Sequence, residues 1–198
     1  GTLKSLNLVP YMMPIAVSAL TFKNMFQTSF DSGVINYLLA KIGILSFAGE
    51  PIGWLIDGHY AMWAIIIVNC WIGIPFNMLL LGTGLTNIPE ELYEAGSIDG
   101  ANKLQKFIYI TIPQLKTSML AVLMLGFIYT FKVFDLVYML TSGGPNNSTE
   151  LLSTYAYRLS FKEFNFSEGA AAACILFICL AIVGLFYLLL VRSEEGDA

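Results

Sequence analysis

Residues Asn87–Leu115 read NIPEELYEAGSIDGANKLQKFIYITIPQL, a polar and charged island between two long apolar runs. Its internal signals spell helix, turn, helix. Asn87 is placed to cap the first helix, Pro89 sits in its first turn, and Glu90 and Glu91 set negative charge against the positive end of the helix dipole. The helix is expected to stop at Asp99-Gly100, because glycine takes the left-handed conformation that ends helices. A second helix then carries Leu104, Phe107, Ile108 and Ile110 on an apolar side, with Lys103 and Lys106 elsewhere, until Pro113 closes it. A feature of this kind, held at a membrane face, is a docking surface.

The flanking sequence supplies the membrane. The chain is 57% hydrophobic and only 12% charged, with a mean hydropathy of +0.70, far from the balance of a soluble domain of this size. A net charge of -4, with the basic residues scattered, gives no hint of a nucleic-acid surface. Cys70, Cys174 and Cys179 all fall inside apolar runs and read as free buried thiols with no metal spacing. His59, the single histidine, lies at an expected interface and reads as structural or solvated. The chain contains no phosphate-binding G-x-x-x-x-G-K-[ST] loop, and Gly82-Thr83-Gly84 lacks both the lysine and the strand such a loop needs.

Four apolar runs are expected to cross the bilayer: Leu6–Phe22, broken by Pro10 and Pro14; Tyr60–Leu85, with Asn69, Gly73 and Pro75 inside; Ser118–Thr141; and the uncharged Gly169–Val191. The thirteen Leu, Ile, Val and Phe residues of the last run favour insertion by roughly 4–8 kcal/mol. The predicted fold is all-α, a polytopic transmembrane helix bundle, with residues 1–198 as a single domain and the island 87–115 as its polar elbow. Residues 24–59 and 142–168 form wet loops on the opposite side, with a short helix near Val34–Ile44. Lys4, Lys103, Lys106, Lys116 and Arg192 accompany the island, against Lys23, Lys41, Arg158 and Lys162 on the other side. Five basic residues against four lean toward a cytoplasmic island. Gly1 and the proline-broken first run do not read as a signal peptide, so the natural protein is expected to begin upstream.

The third run holds Lys132 and Asp135, whose burial in lipid would cost roughly 5–7 kcal/mol and offset most of the run's apolar gain. Spaced i, i+3, they are expected to pair along the helix away from lipid or to line a solute path.

The pattern Glu94-Ala95-Gly96, three residues, Gly100, nine residues, Ile110-Thr111-Ile112-Pro113 resembles the EAA loop of the membrane subunits of binding-protein-dependent ABC importers. Gly96 stands where that family usually has a second alanine, and Ile112 where it has leucine. Asp99-Gly100-Ala101 with Phe107, Thr141-Ser142-Gly143-Gly144-Pro145 and Asn69-Cys70-Trp71-Ile72-Gly73 resemble the maltose- and glycerol-phosphate-type permeases of the carbohydrate branch. The resemblance implies a type I permease carrying four of about six core helices, in a prokaryotic plasma membrane. It also implies a coupling helix seated on a separate ATPase, formed by Leu92, Tyr93, Glu94, Ala95, Gly96, Asp99 and Gly100. Glu94 is suited to a basic or amide group there, Leu92 and Tyr93 to an apolar anchor, and Ala95 and Gly96 to close approach.

The same resemblance implies a mid-membrane sugar pocket lined by Tyr11, Asn69, Gly73 and Thr130. An amide both donates to and accepts from a sugar hydroxyl, and Tyr11 offers a ring face and a hydroxyl. Partners implied are a second, usually different permease subunit, two ATP-binding subunits that hold the nucleotide, and an extracytoplasmic solute-binding protein. The chain itself is expected to be no enzyme and to carry no cofactor, only lipid and solute. The rival is a fragment of a secondary transporter or channel, which also has polar groups at mid-membrane but needs no docking helix for an ATPase.

Overall fold

The computed structural model describes residues 9–131 and 133–195, of which 190–195 are described as backbone only. Among the described residues every regular element is helical. In chain order these are α1 (Val9–Met12), α2 (Ile15–Met25), α3 (Val34–Lys41), α4 (Gly58–Thr86), α5 (Glu90–Ile98), α6 (Lys103–Gln114), α7 (Lys116–Phe131), α8 (Asp135–Leu140), α9 (Leu152–Tyr157) and α10 (Phe166–Glu195). A π-helical turn occupies Phe107–Thr111 within α6, and another, Arg158–Lys162, prolongs α9.

Two of the four expected crossings, α4 and the Phe166–Leu189 part of α10, are single helices long and apolar enough to traverse a bilayer. The other two arrive in pieces. The first run breaks between α1 and α2 at Pro14, whose ring cannot continue the preceding turn. The third run departs from expectation: α7 ends at Phe131, Phe134 takes φ -132°, and a new helix starts at Asp135. Asp135 therefore stands in the first turn of α8, where its carboxylate faces the positive end of the dipole. The expected i, i+3 pair along one helix does not apply to Asp135, and Lys132 lies outside the described residues. Counted with α6, from which it departs at 63°, α7 makes a third, broken crossing.

The residues pack as two compact units. One gathers the chain up to Pro75 and from 133 to Phe177. Its core is Ala19, Phe22 and Phe26 of the α2 segment, Ala64, Ile65 and Val68 of α4, and Leu136, Val137 and Leu140 of α8. Alanines 19 and 64 are fully buried, and their small size lets the helix backbones approach closely. Rings close the top of this core: Phe22 meets Trp71 edge-on at 5.2 Å, and Phe26 lies 5.4 Å from Trp54.

The loop between α2 and α4 is built on Asn36, which is completely buried on α3. Its amide donates to the carbonyls of Gln27 (3.1 Å) and Ile52 (2.9 Å) and accepts from Ile52 N–H (3.2 Å) and Trp54 Nε1–H (3.1 Å). All four hydrogen-bonding positions of the side chain are thus engaged, and two distant stretches of loop are clamped to one helix. On the loop after α8, Arg158 pairs with both Glu150 and Glu163. The hydrogen bonds it donates to Glu150, first, hold its guanidinium even above the usual arginine range.

The second unit comprises Phe76–Phe131 and the chain from Ile178. Here a Cβ on Gly84 would come within 2.6 Å of Ser118 Oγ and 2.9 Å of Leu115 Cδ2. Only glycine lets the end of α4 lie this close to the start of α7. The island between them is the second unit's other main feature.

Candidate functional site

The island folds as helix, turn, helix. Its first helix starts later than the sequence indicates: Pro89, with φ -60° and ψ 134°, occupies the N-cap position, and Asn87 stays outside, bonded through its N–H to Gly84 O. Proline's fixed φ suits this entry, and Glu90 and Glu91 fill the first turn as expected. The turn at Asp99-Gly100 also forms as expected, with Gly100 at φ +76°. A Cβ there would meet nothing within 4 Å, so the requirement for glycine is conformational and not one of space. The second arm begins at a capping box. Gln105 N–H donates to Asn102 Oδ1 (2.9 Å), and Asn102 N–H donates to Gln105 Oε1 (2.8 Å). Pro113 lacks an N–H and would crowd the preceding turn; the π-helical Phe107–Thr111 widens that turn ahead of it, and the arm ends one residue later at Gln114.

The two arms are bolted together. The Tyr93 hydroxyl shares a 2.9 Å hydrogen bond with Oγ1 of Thr111, which is buried. Lys106 Nζ donates to Ser97 Oγ, which donates in turn to Tyr93 O (2.7 Å). Lys106 is therefore a tie between the arms. A Cβ on Gly96 would stand 3.0 Å from Ile110 Cδ1 and 3.7 Å from Lys106 Cγ, so this position faces the second arm. Tyr93 and Gly96, at i and i+3, thus form the inner face of α5.

The opposite face of α5 is open. Glu91, Glu94, Ala95 and Asp99 are exposed, Leu92 is 38% exposed and Ile98 is 87% exposed. Of the residues singled out in the sequence, Leu92, Glu94, Ala95 and Asp99 are accessible to a partner, while Tyr93 and Gly96 position the helix. Ile98 is missing from that set. Its signal was present, since i, i+3, i+4 and i+7 periodicity from Glu91 puts Glu94, Ala95 and Ile98 on one face. An isoleucine on such a polar face is an apolar contact in waiting.

The expected solute residues divide between the units: Tyr11, Asn69 and Gly73 belong to the first, Thr130 to the second. Asn69 and Gly73 share a face of α4 at i, i+4 spacing, and both are half-buried. The Asn69 side chain has no hydrogen-bond partner among the described residues. A Cβ on Gly73 would meet nothing within 4 Å, which leaves room beside Asn69. Tyr11 is half exposed and Thr130 is exposed. Among the described residues no cluster of His, Cys, Asp or Glu is arranged to hold a metal ion.

Residues 1–194 match the family described as binding-protein-dependent transport system inner membrane component. The chain belongs to this family. It is 35% identical over 191 residues to the trehalose/maltose transport system permease protein MalF of Thermococcus litoralis, covering 95% of this chain and 61% of that one. It is also 35% identical over 198 residues to the lactose transport system permease protein LacF of Rhizobium radiobacter, covering 98% of this chain and 64% of that one. The chain thus spans about three-fifths of the length of these relatives.

Among solved structures, a bacterial ABC transporter that imports the acidic polysaccharide alginate superposes with a TM-score of 0.76 at 21% identity, over 97% of this chain and 65% of that one. This likeness establishes the fold. The family assignment makes the chain a membrane-embedded transport component and not an enzyme.

Proposed function

We propose that the chain is part of the permease subunit of an ATP-driven importer, moving a sugar or sugar-like solute handed over by an extracytoplasmic binding protein. The observation that carries this reading is α5, a short helix with one face bolted to the second arm and the other left open. A secondary carrier has no use for such a lever.

In this reading, a cytoplasmic ATPase takes the open face of α5. Ile98 and Leu92 enter apolar contacts, Glu94 meets a basic or amide group, Asp99 flanks them, and Ala95 allows close approach. The nucleotide is held by the ATPase and not by this chain. Because Tyr93–Thr111 and Lys106–Ser97 tie the arms, a displacement of α5 is transmitted to α6 instead of being absorbed by bending. A second permease subunit, usually a different one, makes the paired counterpart, and rigid-body rocking exposes the solute site alternately to each side. Asn69 offers that site an uncommitted amide beside the open space at Gly73. Sugars are the favoured class because relatives at 35% identity are named for trehalose, maltose and lactose transport.

The test is uptake into proteoliposomes bearing the full-length permease with its partner subunits, ion gradients collapsed and binding protein plus labelled sugar outside. Uptake that requires internal ATP and the binding protein is the expected result. Uptake that ignores ATP and follows an ion gradient would assign the chain to a secondary carrier.

A further inference from the structure

A groove of about 560 Å³ lies within the first unit, between the α9 segment and the start of α10. Its size is in the range of small-molecule sites. Phe134, Tyr157 and Phe161 form one wall, and Phe166, Ala170 and Ala173 form the other. The lining is overwhelmingly apolar, and Ser153, one of its few hydroxyls, already donates to Val133 O at 2.6 Å. A sugar would find too few hydrogen-bonding partners here.

Length and charge identify a better occupant. The wall contributed by α10 runs from Phe166 to Leu176, a rise of about 15 Å along a helix. Phe166 is also the first residue of the apolar crossing, so the groove covers roughly one leaflet of a hydrocarbon core about 30 Å thick. Aromatic rings mark its outer end. Phe134 stacks on Tyr138 at 5.2 Å, and Tyr138 meets Tyr157 edge-on at 5.2 Å, as in the belts at membrane interfaces. At that end Lys162, next to the wall residue Phe161, holds its Nζ 5.1 Å from the Tyr138 ring centroid. Arg158 is committed to Glu150 and Glu163, whereas no carboxylate among the described residues pairs with Lys162. Among the described residues the unit therefore presents a leaflet-deep apolar slot with Lys162 as an available cation at its mouth.

We propose that this groove holds an acyl chain of an anionic glycerophospholipid from the leaflet nearest residues 142–165, with the headgroup phosphate at Lys162. The bound lipid fills the space between the α9 segment and α10 and seats the outer loop at a fixed height in the membrane. Ala170 and Ala173 are exposed, so larger side chains there occupy the groove without entering the packed core.

The test uses the full-length permease assembled with its partner subunits in nanodiscs of phosphatidylcholine containing a minority of phosphatidylglycerol with a diazirine on its acyl chain. Irradiation is expected to place adducts on residues 166–176. Ala173→Phe should abolish them, and Lys162→Gln should lower them about fivefold, the effect of one basic residue at an anionic surface. Excess inorganic phosphate should leave them unchanged. If Ala173→Phe fails to assemble, Ala173→Leu together with the surface variant Lys162→Gln carries the same comparison. Adducts that persist undiminished in the assembled variants would overturn the proposal. So would a disulfide between Ala170→Cys and the partner permease, which would put a protein helix in the slot, or displacement by phosphate alone.

Discussion

Replacing Asn36 with leucine, a side chain of similar shape, removes four hydrogen bonds at once and leaves the carbonyls of Gln27 and Ile52, the Ile52 N–H and the Trp54 Nε1–H without their partner. A net hydrogen bond contributes about 0.5–1.5 kcal/mol. Gln27 is exposed, so water recovers part of the loss at its carbonyl. A total of about 2–4 kcal/mol is expected, toward the lower half of the simple sum. Asn36 clamps a loop and not the main core, so the cost should appear as local opening of residues 27–57. At about 1.4 kcal/mol per factor of ten, amide exchange in α3 and in the Gly53–Asp57 turn should accelerate some 30-fold or more. Hydrogen exchange read by mass spectrometry on the assembled transporter in nanodiscs measures this directly, with α4 peptides as the unchanged control. Asn36→Asp keeps the acceptor for Ile52 N–H and Trp54 but turns a buried carboxylate toward two carbonyls, so it should be no milder. Exchange in α3 within about threefold of the parent would refute the reasoning, since it would mean the four bonds contribute less than one ordinary hydrogen bond.

Gly100→Val forces a β-branched residue to φ +76° at a cost of about 1–2 kcal/mol; ATP-driven uptake should fall while membrane insertion persists, and Gly100→Asn should retain more uptake because asparagine tolerates this conformation. Gly84→Leu places carbon against Ser118 and Leu115 in a space with no room for a Cβ, so yield and thermal stability of the assembled transporter should drop, and an unchanged melting temperature would count against the close approach described. Asn69→Ala should raise the sugar concentration for half-maximal uptake about two- to tenfold, as expected when a site loses one hydrogen bond, without changing the ATPase rate in the absence of solute.

Two of the crossings and the elbow were legible because they rest on composition and on local rules. A 29-residue apolar α4 and a glycine at φ +76° follow from what bilayers and left-handed turns demand. What was hidden depends on which side a residue faces. Gly96 reads as a small residue for a partner, yet its missing side chain accommodates Ile110, fourteen positions away in the same elbow. Asn36 sits in a stretch that reads only as a wet loop with a short helix, and nothing local marks the four partners that bury it. The third run shows the reverse error, in which an apolar run conceals a break at 133–134 that returns Asp135 to a helix start. Asn102 and Gln105 spell a capping box that was readable from their spacing alone.

The most direct measurement of the account's central claim is cysteine cross-linking between α5 and the ATPase subunit in the assembled transporter, with and without ATP. Ile98→Cys and Glu94→Cys should cross-link to the ATPase in a nucleotide-dependent pattern, while a cysteine at the inward Tyr93 should not. Labelling of Ile98→Cys by a membrane-impermeant reagent added from outside intact cells, with no cross-link to the ATPase, would contradict it.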